Sequence, residues 1–168
     1  YLPMVPELPI SMLACSRIGA IHTVVFSGFS ATSLKDRVED SQSKIIITAD
    51  GGFRKGKLIK LKEIVDESAS GVDSVEHVIV LKRANNDLKI TKKDKIWSDL
   101  MKNESEECDA EKLTSTHPIY ILYTSGTTGK PKGVLHGTGG YLTHLYSTFK
   151  WAFDIKEDDV YFCTADIG

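Results

Sequence analysis

Residues 123–141 read YTSGTTGKPKGVLHGTGGY, and the rest of the chain is organised around this stretch. An apolar run at 118–123 leads into it, and a short apolar run at 133–136 leads out. Between these runs lie glycine, serine and threonine residues together with Lys130 and Lys132. Glycines let the backbone approach a ligand closely, and successive N–H groups in such a turn form a concavity that suits anions. The stretch therefore predicts a loop that binds a polyphosphate.

The composition is that of an ordinary globular domain, with 168 residues of which 41% are hydrophobic and 26% charged. The net charge of −2 gives no overall field that would attract nucleic acid or an anionic membrane, so any anion site must be local. No run approaches the ~20 apolar residues of a membrane span. Cys15, Cys108 and Cys163 match neither metal-ligand nor disulfide spacing. We therefore expect reduced thiols and a cytoplasmic protein; the composition does not predict the oligomeric state.

Apolar and β-branched runs predict strands that alternate with helices along the chain. The predicted strands are 22–26, 44–48, 76–81, 118–123 and 160–163. The predicted helices begin at Pro6, after a cap at Ser30 or Thr32, at Leu58, near Ile96 and at Gly140. This alternation predicts an α/β fold with a doubly wound, mostly parallel sheet and helices on both faces.

Two segments between these elements carry additional expectations. Residues 49–57, ADGGFRKGK, are rich in glycine and basic residues and predict a loop. The second helix has Leu34 and Val38 on its apolar side, and we expect its charged residues, Arg37 and Asp40 among them, to form a solvated face.

Two common nucleotide-binding patterns do not fit the loop. The nucleotide-triphosphatase P-loop, G-x-x-x-x-G-K-[ST], requires glycine at the fifth position after Gly126, where Pro131 stands. Neither Lys130 nor Lys132 is followed by serine or threonine. The dinucleotide fingerprint G-x-G-x-x-G also does not follow any predicted strand.

A third pattern fits, because TSGTTGKPKG at 124–133 resembles the phosphate loop of the adenylate-forming ligases. The flanking blocks SVEHVIVLKR at 74–83 and GVLHGTGGYL at 133–142 resemble the acetyl-CoA synthetases within that superfamily. The resemblance implies that residues 1–168 are part of the N-terminal AMP-binding domain. We accordingly expect the rest of that domain, and a C-terminal domain that carries the catalytic lysine, to lie outside the chain.

The resemblance implies a two-step reaction with acetate, ATP, Mg²⁺ and coenzyme A. Acetate would attack the α-phosphate of ATP to give acetyl-AMP and pyrophosphate, and the thiol of coenzyme A would then displace AMP. We expect the 168 residues alone to be inactive. Two alternatives stay open: a non-catalytic α/β module that binds phosphates or a partner, and a ligase for propionate or another short-chain acid.

The resemblance also implies two groups of binding residues, with no catalytic residue in the chain and no metal ligand identified. The ATP phosphates would be held by Thr124, Ser125, Gly126, Thr127, Thr128, Gly129, Lys130 and Lys132, with more weight on Lys132 than on Lys130. The nucleotide end of coenzyme A would be held by Phe26, Gly28, Arg54 and Lys57. The chain departs from the family pattern at Ser27, usually glycine, and at Lys57, usually a second arginine. Since the reaction needs no general base, we expect His136 to be structural or to line a pocket.

Overall fold

The computed structural model describes residues 1–124 and 129–167. The helices within these residues are α1 Glu7–Arg17, α2 Ala31–Ser41, α3 Leu61–Ala69, α4 Trp97–Met101 and α5 Thr138–Ser147, and α5 continues into a π-helical turn at Thr148–Ala152. The strands are β1 Ile45–Ala49, β2 Gly52–Arg54, β3 Lys57–Ile59, β4 His77–Leu81, β5 Asp94–Ile96, β6 Pro118–Thr124 and β7 Lys132–Gly137. The order of elements agrees with the predicted α/β class.

A parallel sheet of order β1-β4-β5 forms the centre of the fold. Ile46 of β1 lies opposite Val78 of β4, and both side chains are buried. Val80, two residues further along β4, is 0% exposed because side chains at this spacing lie on the same face of a strand. The predicted strands at 44–48 and 76–81 are therefore confirmed, and β5 is an additional strand.

Helices α2 and α3 pack against each other, and α3 packs on β1. Ser30 caps α2 as predicted, since its Oγ atom accepts a hydrogen bond from the N–H of Ser33. Leu34 and Val38 of α2 join Leu61 and Val65 of α3 in the hydrophobic core. Helix α3 begins three residues later than predicted, because Leu58 belongs to β3.

Two antiparallel hairpins accompany the parallel sheet, β2-β3 and β6-β7. The prediction of a loop at 49–57 was therefore wrong. Lys55 and Gly56, between β2 and β3, have φ angles of 50° and 73°. Positive φ at both central residues is the requirement of the two-residue turn that matches strand twist, so this turn folds the segment back on itself.

Two of the predicted strands do not form. At 22–26 only His22 pairs, in an isolated parallel bridge with Tyr120, and the chain then turns at residues 27–29. At 160–163 the described structure has no neighbouring strand, and Val160 and Phe162 are 97% and 84% exposed. A β-branched or aromatic run needs a neighbouring strand as a partner for its backbone N–H and C=O groups, and within residues 1–124 and 129–167 neither run has one beyond His22.

The helix predicted from Gly140 to Phe153 begins at Thr138 and changes to π-helical geometry at Thr148. The face predicted to be apolar is present, but Leu142, Tyr146 and Phe153 are more than half exposed. None of the helices in residues 1–124 and 129–167 has the length and hydropathy needed to cross a bilayer.

A buried ion cluster joins α3 to β5. The side chain of Lys62 is 2% exposed, and its Nζ atom lies 2.5 Å from Asp66 Oδ1 and 3.1 Å from Asp94 Oδ2. The Asp94 side chain is fully buried, and its Oδ2 atom also accepts a hydrogen bond from the N–H of Thr91. A buried charge is costly without a partner, so Lys62 and Asp94 depend on each other. Their contact connects helix α3 to strand β5 at the edge of the sheet.

Candidate functional site

The loop predicted to bind phosphate connects the two strands of the β6-β7 hairpin. Thr124, at the end of β6, lies opposite Lys132, at the start of β7. Gly129 has a φ of 86°, which is the left-handed conformation that favours glycine. Four of the eight predicted phosphate-binding residues lie outside the described residues: Ser125, Gly126, Thr127 and Thr128.

The two lysines of the loop differ in their setting. Lys132 lies in β7, where the ladder with β6 fixes the direction of its backbone. Lys130 precedes the strand, in a bend. Both side chains are exposed, and in the described parts of the chain neither forms an ion pair. Two positive charges at the hairpin are thus available to an anion.

Tyr123 anchors the hairpin to helix α2. Its hydroxyl donates a hydrogen bond of 2.6 Å to Asp40 Oδ2, and the guanidinium of Arg37 lies 5.5 Å from the centre of its ring. Across the hairpin, a Cβ atom at Gly133 would lie 3.1 Å from Tyr123 Cε1 and 2.9 Å from Ile121 Cγ2. Glycine at 133 is therefore what leaves room for the tyrosine ring.

The environment of Tyr123 favours the protonated phenol. Burial, together with the hydrogen bond to the carboxylate of Asp40, raises the pKa of Tyr123 to about 12. The phenol therefore keeps the proton that it donates to Asp40 across the neutral pH range.

The structure brings together Phe26, Gly28 and Arg54, three of the four residues predicted to bind coenzyme A. The guanidinium of Arg54 lies over the ring of Phe26, 5.1 Å from its centre. A Cβ atom at Gly28 would lie 2.4 Å from both Arg54 Nη1 and Phe26 Cε1, so only glycine leaves space for this stack. Lys57, the fourth residue, lies opposite Arg54 in the β2-β3 hairpin and is exposed.

Tyr1 supports the turn that carries Phe26 and Gly28. Its hydroxyl is within hydrogen-bond distance of two carbonyl oxygens, that of Ser27 at 2.9 Å and that of Phe29 at 2.7 Å, and donates to them. Burial raises the pKa of the Tyr1 phenol to about 12. A turn braced in this way presents its backbone in one arrangement.

His136, in strand β7, belongs to an aromatic cluster. Its ring stacks on Tyr120, with centres 4.4 Å apart and planes inclined by 12°, and Tyr141 meets the Tyr120 ring edge-on. On the other side, His22 lies 5.9 Å from Tyr120 and is half-buried, and burial lowers its pKa. The packing of His136 agrees with the structural role predicted for it. In the described part of the chain, no group of three or more His, Cys, Asp or Glu side chains is placed to hold a metal ion.

Several residues that shape these two sites were missed by the sequence analysis. Arg37 was expected on a solvated face of α2, but it is only 8% exposed. Asp40 and Tyr123 lie 83 positions apart, and nothing in either local sequence indicates that they meet. The β2-β3 hairpin had a detectable signal, since a glycine between two short apolar or basic runs is typical of a tight turn.

Comparison with known proteins gives one consistent family. A family model described as "AMP-binding enzyme" matches residues 1–168. The chain is 54% identical to an acetyl-coenzyme A synthetase of Rubrobacter xylanophilus and 56% identical to one of Pyrobaculum arsenaticum, in each case over its full length. It covers 26% of each of those proteins, and so spans about a quarter of the length of the relatives it matches.

A solved structure gives the same answer for the fold. The acetoacetyl-CoA synthetase of Streptomyces lividans superposes with a TM-score of 0.83 at 26% identity, over 92% of this chain and 24% of that one. The two structures therefore share the same fold over most of this chain. The chain belongs to the family of AMP-binding enzymes.

Proposed function

We propose that the chain is part of an AMP-forming acid–thiol ligase that activates acetate. The carboxylate of acetate attacks the α-phosphorus of ATP and expels pyrophosphate; the thiolate of coenzyme A then attacks the acyl carbon of acetyl-AMP and expels AMP. The observation that carries this proposal is the identity of 50–56% to acetyl-coenzyme A synthetases over the whole chain. The TSGTTGKPKG loop lies within that match.

The β6-β7 hairpin is the proposed site for the ATP phosphates. Adenylyl transfer requires positive charge and hydrogen-bond donors near the non-bridging oxygens. Lys132 supplies a charge from a strand position, and Thr124 lies opposite it. The other proposed phosphate ligands are Ser125, Gly126, Thr127, Thr128, Gly129 and Lys130. Mg²⁺ would enter as part of the MgATP substrate, bound by phosphate oxygens and water.

The turn at 26–29 together with the β2-β3 hairpin is the proposed site for the nucleotide end of coenzyme A. Phe26 offers an aromatic face and Gly28 an approach to the backbone, while the exposed Arg54 can bind a phosphate with two parallel hydrogen bonds. Lys57 adds charge without that paired geometry. The stack of Arg54 on Phe26 supports this proposal, because it holds a flexible cation in one place.

The choice of acid separates this proposal from its nearest alternatives. The two relatives at 54% and 56% identity are acetyl-coenzyme A synthetases, whereas the structural neighbour at 26% identity is an acetoacetyl-CoA synthetase. We therefore place acetate before propionate or a longer acid. A cytoplasmic location is part of the same proposal, since both nucleotide substrates are abundant there.

The test is product formation by the full-length protein. With ATP, Mg²⁺ and coenzyme A, release of AMP should depend on acetate and exceed the rates with propionate and acetoacetate at equal concentration. The 168-residue chain serves as a second sample and should form no AMP. If the full-length protein prefers another acid, the ligase proposal stands and acetate is wrong. If no acid supports AMP release, the chain belongs to a module without this chemistry.

A further inference from the structure

A continuous series of stacked side chains links the two proposed sites. Arg54 lies 5.1 Å from the ring centre of Phe26, and Phe26 meets Phe29 edge-on with centres 5.7 Å apart. Phe29 in turn lies 4.7 Å from the guanidinium of Arg37, which is 5.5 Å from the ring centre of Tyr123. The series begins at the proposed coenzyme A site and ends at the residue next to Thr124.

Arg37 occupies the middle of this series under unusual conditions. Its side chain is buried, and within the described residues no carboxylate pairs with it. Its charge is balanced by the faces of Phe29 and Tyr123 and by a hydrogen bond of 2.6 Å from Nη1 to the carbonyl oxygen of Ser33. A buried charge without a carboxylate partner is costly unless such contacts keep their geometry.

We propose that Arg37 is a positioning residue that couples the phosphate loop to the coenzyme A loop. One face of its guanidinium fixes Phe29, which ends the turn carrying Phe26 and Gly28. Tyr123, which begins the loop toward Thr124, packs on the same cation. Loss of the guanidinium would therefore remove support from Phe29 and Tyr123 together. This inference rests on the proposed function, since it assigns Arg37 to the sites proposed there.

The experiment uses the full-length enzyme with two substitutions and a control. Arg37→Met keeps a long apolar side chain and removes the cation, and Arg37→Lys keeps a cation without the planar group. Lys35→Met removes a partly exposed cation from the same helix, and among the described residues this lysine contacts the Ser70 carbonyl and Glu39. The two half-reactions are measured separately: acetate-dependent exchange of pyrophosphate into ATP, and thioester formation from supplied acetyl-AMP.

Coupling predicts that Arg37→Met raises the KM for ATP in the first half-reaction and the KM for coenzyme A in the second. Each rise should be about three- to tenfold, the size expected from losing contacts with ring faces. The kcat values should change less than the KM values, Arg37→Lys should restore part of each KM, and Lys35→Met should match the wild type. If the Arg37→Met variant cannot be purified in a folded form, the same two KM values are compared between Arg37→Lys and the wild type.

Three results would overturn the inference. In the first, both KM values and kcat stay unchanged. In the second, only one of the two KM values rises. In the third, kcat and thermal stability fall while both KM values stay unaltered, as for a residue that only supports the fold. Failure of the proposed function is distinguishable, because in that case the wild type itself shows neither half-reaction. An active wild type with an unaffected Arg37→Met variant refutes the coupling alone.

Discussion

The hydroxyl of Tyr123 lies 2.6 Å from Oδ2 of Asp40 and donates a hydrogen bond to it, which ties strand β6 to helix α2. The residue after Tyr123 is Thr124, where the loop between the hairpin strands begins. Helix α2 is in turn packed on α3 and through it on the parallel sheet. This bond is therefore one of the contacts that connect the hairpin to the core, and changes at it should have measurable consequences.

Removal of that phenol should alter the dependence of stability on alkaline pH. The pKa of Tyr123 is raised from its model-peptide value of about 10 to about 12 in the folded chain. Below pH 10 the phenol is protonated in both the folded and the unfolded chain, so its full contribution to stability is present. As the pH rises from 10 to 12, the phenol ionises first in the unfolded chain, and the free energy of unfolding falls. Tyr123→Phe should reduce this fall in urea titrations of the full-length protein. An unchanged alkaline slope would contradict the assignment. Tyr146→Phe, at an exposed phenol, is the control.

The glycine of the coenzyme A turn should not tolerate a methyl group. Gly28→Ala places a Cβ atom 2.4 Å from Phe26 Cε1 and Arg54 Nη1, so the stack of these two side chains must open. We expect the KM for coenzyme A to rise about tenfold, as for an overpacked site that costs ~1–3 kcal/mol, while the KM for ATP changes little. Gly140→Ala is the matched control, because its added methyl meets nothing within 4 Å. Equal effects of the two substitutions would argue against a role for the turn.

The buried ion cluster should dominate the stability of the sheet edge. Lys62→Met leaves the carboxylate of Asp94 buried without its cation, and we expect the free energy of unfolding to fall by about 3–5 kcal/mol. Lys60→Met, two residues earlier, removes an exposed lysine paired with Glu63 and should have little effect. Chemical denaturation of the two variants measures the difference. Similar stabilities would show that Lys62 is solvated in solution.

Local sequence was enough to predict elements that satisfy their own hydrogen bonds or bury alternate residues in the core. Helix α2 begins at its serine cap, and β1 and β4 are largely apolar runs that bury Ile46, Val78 and Val80. The distinctive spacing of glycine, threonine and lysine at 124–133 predicts a phosphate loop, and this assignment stays a prediction. The contacts of Asp40 and Arg37 with Tyr123 were not predicted, because the local sequence of a helix does not indicate which aromatic ring will pack on its charged residues.

Two of the failed predictions have different causes: one outcome depends on a distant partner, and in the other a local turn was not recognised. The run at 160–163 has the composition of a strand, but no strand of the described residues lies beside it, and Val160 is exposed. At 49–57 the basic composition suggested a solvated loop, whereas two positive φ angles at Lys55 and Gly56 close a hairpin. That hairpin places Arg54 on Phe26, so the error concerned the very feature that assembles the second site.

The most direct test of the account is to separate the half-reactions in Lys132→Ala and Lys130→Ala variants of the full-length enzyme. If the hairpin holds the ATP phosphates, Lys132→Ala should slow acetate-dependent pyrophosphate exchange about 100-fold, as when one charge-stabilising group is removed. Thioester formation from supplied acetyl-AMP should be preserved, and Lys130→Ala should affect exchange less. Equal loss in both half-reactions for Lys132→Ala, or none in either, would contradict the assignment of this loop.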